Sequence, residues 1–137
     1  MPVPMSPEDR PIAGVRVLVV DDDPHTREAV ASVLEHFGAT VTAVGSGLAG
    51  LQAIQLNPPD VLLADVLMPG MDGCALIRRV RALPPQRGGR TPAAALTAHA
   101  GVEERARILQ AGFEYHLAKP VDIDRLLSVV AILAAKE

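Results

Sequence analysis

Asp21, Asp22 and Asp23 stand in a row directly after the apolar run Val17-Leu18-Val19-Val20, and no other three consecutive residues of the chain are all acidic. Carboxylates this close repel and raise one another's pKa, so the cluster is unfavourable unless a metal ion or a basic group neutralises it. A second run, Asp60-Val61-Leu62-Leu63-Ala64-Asp65, also ends in aspartate. A third, Ala93-Ala94-Ala95-Leu96, ends in Thr97, and a fourth, Tyr115-His116-Leu117-Ala118, ends in Lys119. If these runs are neighbouring parallel strands, their ends describe a single site, because open α/β sheets bind ligands at the carboxyl ends of their strands. Oxygen donors for a hard cation, with a hydroxyl and an ammonium for anionic oxygens, suggest Mg2+ plus a phosphoryl group.

The elements that must position these residues alternate strand with helix five times. After a strand at about 15–20, Asp23-Pro24 reads as an N-cap with proline in the first turn, and Val30, Val33, Leu34 and Phe37 follow at helical spacing up to Gly38. A strand at 40–44 precedes a helix from about 46 to 56, stopped by Asn57-Pro58-Pro59. The run ending at Asp65 leads into the turn-rich Met68-Pro69-Gly70-Met71-Asp72-Gly73 and a helix facing inward through Leu76, Ile77, Val80 and Leu83. Residues 84–90 read as a flexible connector. A fourth strand, a helix at about 102–111 closed by Gly112, a fifth strand and a last helix with Ile123, Leu126, Leu127, Val130 and Leu133 inward complete a (βα)5 pattern. Continuous apolar strands between amphipathic helices imply a parallel sheet covered on both faces, an α/β three-layer sandwich.

Composition sets the outer bounds. At 137 residues and 49% hydrophobic the chain suits one domain, with 14–137 as its body and 1–13, which hold four prolines, as a disordered lead or linker. A net charge of −3 with both signs scattered argues against nucleic acid or a membrane surface as partner, and 2% aromatics leave no stacking platform. The single Cys74 cannot form an internal disulfide and reads as a packing residue. Without an apolar stretch of about 20 residues or a secretory signal, a cytoplasmic location is expected. His25 and His36 fall off the apolar stripe of the first helix and read as surface residues.

Four segments together carry a family resemblance: Val-Leu-Val-Val-Asp-Asp-Asp-Pro at 17–24, Asp-Val-Leu-Met-Pro-Gly-Met-Asp-Gly at 65–73, Ala-Leu-Thr-Ala at 95–98 and Ala-Lys-Pro at 118–120. In order and spacing the chain resembles the receiver domains of two-component response regulators, over roughly Val15 to Leu133. The resemblance implies a flavodoxin-like fold with a five-stranded parallel sheet of order 2-1-3-4-5. It implies that Asp65 accepts a phosphoryl group from a phosphohistidine, that Thr97 and Lys119 contact the phosphoryl oxygens, and that Mg2+ is held by Asp21, Asp22, Asp65 and the Leu67 carbonyl, Asp21 acting through water. The implied partner is a histidine kinase or histidine phosphotransfer protein, and the implied signalling face, also a surface for a dimer, covers 102–135. A cis peptide before Pro120 is implied as well.

Departures from the common pattern bear on mechanism. Where many receivers place a switching Tyr or Phe, three residues before the lysine, this chain has His116, whose charge varies near neutral pH. Leu67 and His99 lie two residues beyond Asp65 and Thr97, positions whose side chains, the resemblance implies, gate water toward an acyl phosphate. The segments at 95–100 and 112–121 are similar in style to receivers of hybrid sensor kinases, although a stand-alone regulator fits equally. A haloacid-dehalogenase-like phosphatase would also use a strand-end Asp, Mg2+, Thr and Lys, but it carries Asp-x-Asp, and position 67 is Leu. A pseudo-receiver would lack part of the acidic pocket or the lysine, and neither is missing.

Overall fold

The computed structural model describes residues 12–98 and 101–135. Five short, largely apolar runs become strands: β1 (Arg16–Val20), β2 (Thr40–Val44), β3 (Val61–Asp65), β4 (Ala93–Thr97) and β5 (Tyr115–Ala118). They alternate with α1 (Pro24–His36), α2 (Gly47–Leu56), α3 (Gly73–Arg81), α4 (Val102–Ala111) and α5 (Ile123–Ala134). All pairings are parallel and the order is β2-β1-β3-β4-β5, as expected.

Strand side chains alternate between two cores because successive Cβ atoms point to opposite faces. Leu18, Val20, Leu62, Ala64, Ala93 and Ala95 meet Ile54 of α2, Ile77 and Val80 of α3 and Ile108 of α4. Val17, Val19, Val61, Leu63, Ala94, Leu96 and Leu117 meet Val30 and Leu34 of α1 and Leu126, Val130 and Leu133 of α5. The helices therefore lie two on one side and three on the other, and every residue of β3 and β4 is buried. Truncating Leu62 or Leu63, both fully buried, to alanine costs about 2–5 kcal/mol. Side-chain caps begin four helices: Asp23 on α1, Ser46 on α2, Asp72 on α3 and Asp122 on α5 each accept a backbone N–H from the first turn.

Three expectations shift. Ile12, assigned to the lead, is wholly buried in the core, and its carbonyl accepts a 3.0 Å hydrogen bond from Val15 N. The rest of that lead, residues 1–11, lies outside the described residues, as do 99–100 and 136–137. On α5, Ile123 is 50% exposed and Val129 is buried, so the inward stripe runs through Leu126, Val129, Val130 and Leu133 at i, i+3, i+4 and i+7. The 84–90 segment is a structured turn and not a flexible connector. It contains a 3-10 turn at Pro85–Arg87 and Gly88 at φ +102°, and the Arg81 guanidinium donates to the carbonyls of Gly89, Thr91 and Gly112 and to Glu114.

Candidate functional site

The sheet register brings the predicted residues to one rim. Asp65 is the last residue of β3 and pairs with Leu96, Thr97 ends β4, and Lys119 follows β5 with its backbone N–H donating to the Thr97 carbonyl at 2.8 Å. Asp21 follows β1, anchored by its N–H to the Val44 carbonyl at 3.1 Å. The Lys119 ammonium reaches both neighbouring carboxylates, 3.0 Å from Asp21 Oδ2 and 3.2 Å from Asp65 Oδ2. Asp21, Asp65 and Thr97 are buried.

Loop backbone completes the shape. Asp21 Oδ1 accepts the Asp23 N–H at 2.9 Å, while Asp23 caps α1 through the His25 N–H and the Thr26 hydroxyl. Those two hydrogen bonds hold the exposed Asp23 carboxyl below its ordinary pKa, with Thr26 the larger cause. Asp23 is thus a structural cap, as its place before Pro24 suggested. Asp65 Oδ1 accepts the Leu67 N–H at 3.3 Å. Gly73 sits so near the strand end that a Cβ there would lie 2.3 Å from the Asp65 carbonyl oxygen.

Charge is balanced locally. Burial, then the charge of Asp21, pushes the Asp65 carboxyl up against the opposing pull of Lys119. For Lys119 burial acts downward, but the hydrogen bond and charge of Asp21, joined by Asp65, outweigh it and raise the ammonium's pKa. One carboxylate oxygen from each of Asp21, Asp22 and Asp65 lies within 4.8 Å of the others, and Asp22 is exposed. Three hard oxygen donors open to solvent on one side fit Mg2+, which binds through one or two carboxylates and keeps several waters. A lysine already seated between two of them supplies positive charge for an anionic group.

The remaining predicted positions are placed as follows. The Leu67 side chain is 58% exposed beside Asp65, whereas His99 lies outside the described residues. His116 on β5 is half-buried, and burial followed by the charges of Arg105 and Arg125 pushes its imidazole pKa down. The peptide bond between Lys119 and Pro120 is cis. Cys74 is buried, which pushes its thiol pKa up, and His25 and His36 are exposed. One neighbour of the site has no signature in the sequence. Arg27, on the polar side of α1, donates from Nη1 to the Asp21 carbonyl at 2.8 Å.

Known proteins resemble this chain in sequence and in fold. The sequence pattern of the response regulator receiver domain family matches residues 17–131. An uncharacterized 14.6 kDa protein of Leptolyngbya boryana is 44% identical over 87% of this chain and 89% of its own. The sensor histidine kinase GacS of Pseudomonas protegens is 43% identical over 84% of this chain, which spans only 13% of that kinase's length. Among solved structures, the receiver domain of sensor histidine kinase PA1611 of Pseudomonas aeruginosa, with a magnesium ion in its active-site cleft, superposes with a TM-score of 0.82 at 32% identity, covering 90% of this chain and 99% of that one. No helix among the described residues is long and apolar enough to cross a membrane. Strand order, rim residues and relatives agree, and the chain belongs to the response regulator receiver domain family.

Proposed function

We propose that the chain accepts a phosphoryl group on Asp65 from a phosphohistidine of a histidine kinase or a histidine phosphotransfer protein. The observation carrying this reading is the Asp65 carboxylate at the buried end of β3, 3.2 Å from the Lys119 ammonium and grouped with Asp21 and Asp22. An Asp65 oxygen forms the bond to phosphorus while the donor's P–N bond breaks, and the imidazole leaves with that electron pair. Asp21 and Asp22, with Asp65 and the Leu67 carbonyl, would hold Mg2+. When bound, the ion supplies positive charge between an anionic nucleophile and an anionic phosphoryl group. Lys119 pairs with one phosphoryl oxygen and the Thr97 hydroxyl donates to another, so the protein chiefly positions and neutralises.

Once the acyl phosphate has formed, Thr97 drawn toward it shifts the population between two states of the face made by α4, β5 and α5, or the group passes onward to another histidine. Incubation with acetyl phosphate and Mg2+ followed by intact mass tests the central claim. The expected result is a gain of one phosphoryl group that requires Mg2+ and is absent in Asp65→Asn. Modification that persists in that variant moves the acceptor elsewhere.

A further inference from the structure

We propose that Arg27 is a positioning residue for the acidic pocket: its guanidinium fixes the peptide that leads from Asp21 into Asp22, and Gly45 leaves it the room to do so. The role rests on the reading of Asp21, Asp22 and Asp65 as a divalent-cation site.

Arg27 lies in the first turn of α1, where its N–H donates to the Asp23 carbonyl at 3.0 Å. Its side chain turns back over the end of the sheet, and Nη1 meets the Asp21 carbonyl at 2.8 Å. That carbonyl belongs to the planar unit that also carries the Asp22 N–H, so holding the oxygen sets the plane from which the Asp22 side chain departs. The other face of the same residue is tied as well, by Asp21 N–H to Val44. Asp21 is therefore gripped by β2 on one side and by α1 on the other. Asp22, the exposed member of the cation group, gains its direction from this grip.

Gly45 supplies an independent observation. Its φ is not in the left-handed region, so the backbone does not require glycine there. A Cβ on residue 45 would lie 2.9 Å from Arg27 Nη1 and 3.8 Å from Arg27 Cζ, and no other group among the described residues beyond its chain neighbours comes within 4 Å. The absence of a side chain at 45 thus serves the guanidinium. Replacing that glycine displaces the end of a flexible side chain and leaves the backbone in place.

Charge and positioning make opposite demands, which lets an experiment separate them. A guanidinium near an acidic pocket repels an incoming cation, so charge alone predicts tighter Mg2+ binding when Arg27 is neutralised. Positioning predicts weaker binding. Mg2+ titration by calorimetry is therefore run on the wild type, Arg27→Met, Arg27→Lys, Gly45→Ala and the Arg27→Met/Gly45→Ala double variant. We expect Arg27→Met to weaken Mg2+ affinity by about tenfold, as loss of an outer partner of a ligand does. Gly45→Ala, which keeps the charge and the fold, should weaken it in the same direction. The double variant should be no weaker than Arg27→Met alone, and Arg27→Lys, which keeps one donor, should recover part of the loss. Unchanged or tighter binding in Arg27→Met, or additive losses in the double variant, overturns the role. A wild type that binds no Mg2+ overturns the cation site itself and this role with it, whereas tight wild-type binding with an indifferent Arg27→Met overturns Arg27 alone.

Discussion

Lys119 and Asp21 meet at 3.0 Å across 98 residues of sequence, and the carboxylate of the pair is wholly buried. The lysine is 21% exposed, so its flexible stem can follow an incoming anion, while Asp21 cannot move without opening the β1–β2 rim. Removing the ammonium leaves the buried Asp21 carboxylate beside Asp65 without its ion-pair partner. Lys119→Met should therefore lose about 3 kcal/mol of stability without metal. Urea denaturation reads this as a lower midpoint at unchanged slope. Asp21→Asn in the same chain should recover part of the loss, and a wild-type midpoint in Lys119→Met would show that the pair contributes nothing.

Asp65 makes the opposite contribution at neutral pH. Its folded-state pKa lies above the unfolded value, so the folded chain holds that proton more tightly, and ionisation weakens folding as pH rises through the folded pKa. Asp65→Asn should melt a few degrees higher than the wild type at pH 7, and the difference should vanish below about pH 4, where the unfolded carboxyl is itself protonated. Thermal scans across that range decide it. A gain that persists in acid would trace to something other than charge.

Divalent cation should relieve the same repulsion. Mg2+ at a hundredfold excess over its Kd should add about 2.7 kcal/mol by mass action, visible as a rise of several degrees in Tm. Asp22→Ala should erase that rise while leaving the metal-free protein as stable or more so. An undiminished Mg2+ effect in Asp22→Ala would remove Asp22 from the ligand set.

His116 should impose an acid-side loss. Burial, with Arg105 and Arg125 behind it, lowers its folded pKa, so the unfolded chain takes up a proton near pH 6.5 before the folded chain does. The associated stability is complete above that pH and is lost as pH falls through the folded pKa. His116→Gln should lose less stability than the wild type between pH 7 and 5. Parallel Tm curves for the two proteins would show that the imidazole is not excluded from its charged form.

Thr97 should carry the response outward. Beryllofluoride, an acyl-phosphate mimic, should shift backbone amide resonances across α4, β5 and α5, and Thr97→Ala should shrink that response. Shifts restricted to the loops after Asp22, Asp65, Thr97 and Lys119 would leave phosphoryl carriage as the only output.

The rim was legible because its residues end uninterrupted apolar runs, and a parallel sheet must bring such ends together. Order 2-1-3-4-5 came from family likeness, since helical and strand periods alone do not choose among permutations of five strands. Ile12 escaped notice because a proline-rich context hides a single core residue. The 84–90 turn was misread because proline and glycine there look like freedom, while the restraint comes from backbone bonds inside the turn, the Arg87 and Gly89 N–H groups donating to the Pro84 carbonyl, and from Arg81 on α3, which donates to the Gly89 carbonyl. Arg27 was invisible for a similar reason: its partner is a backbone carbonyl, and a carbonyl has no letter in the sequence.

The closeness of Gly73 to the Asp65 carbonyl reaches beyond geometry into how the chain can evolve. Any side chain at 73 would drive α3 off the end of β3 and drag the proposed nucleophile with it. In a library selected for phosphoryl acceptance, position 73 should therefore be as intolerant as position 65, though glycine offers no group to the reaction. An inventory of essential residues drawn from such a screen would overcount the chemistry by one and undercount the architecture by the same amount.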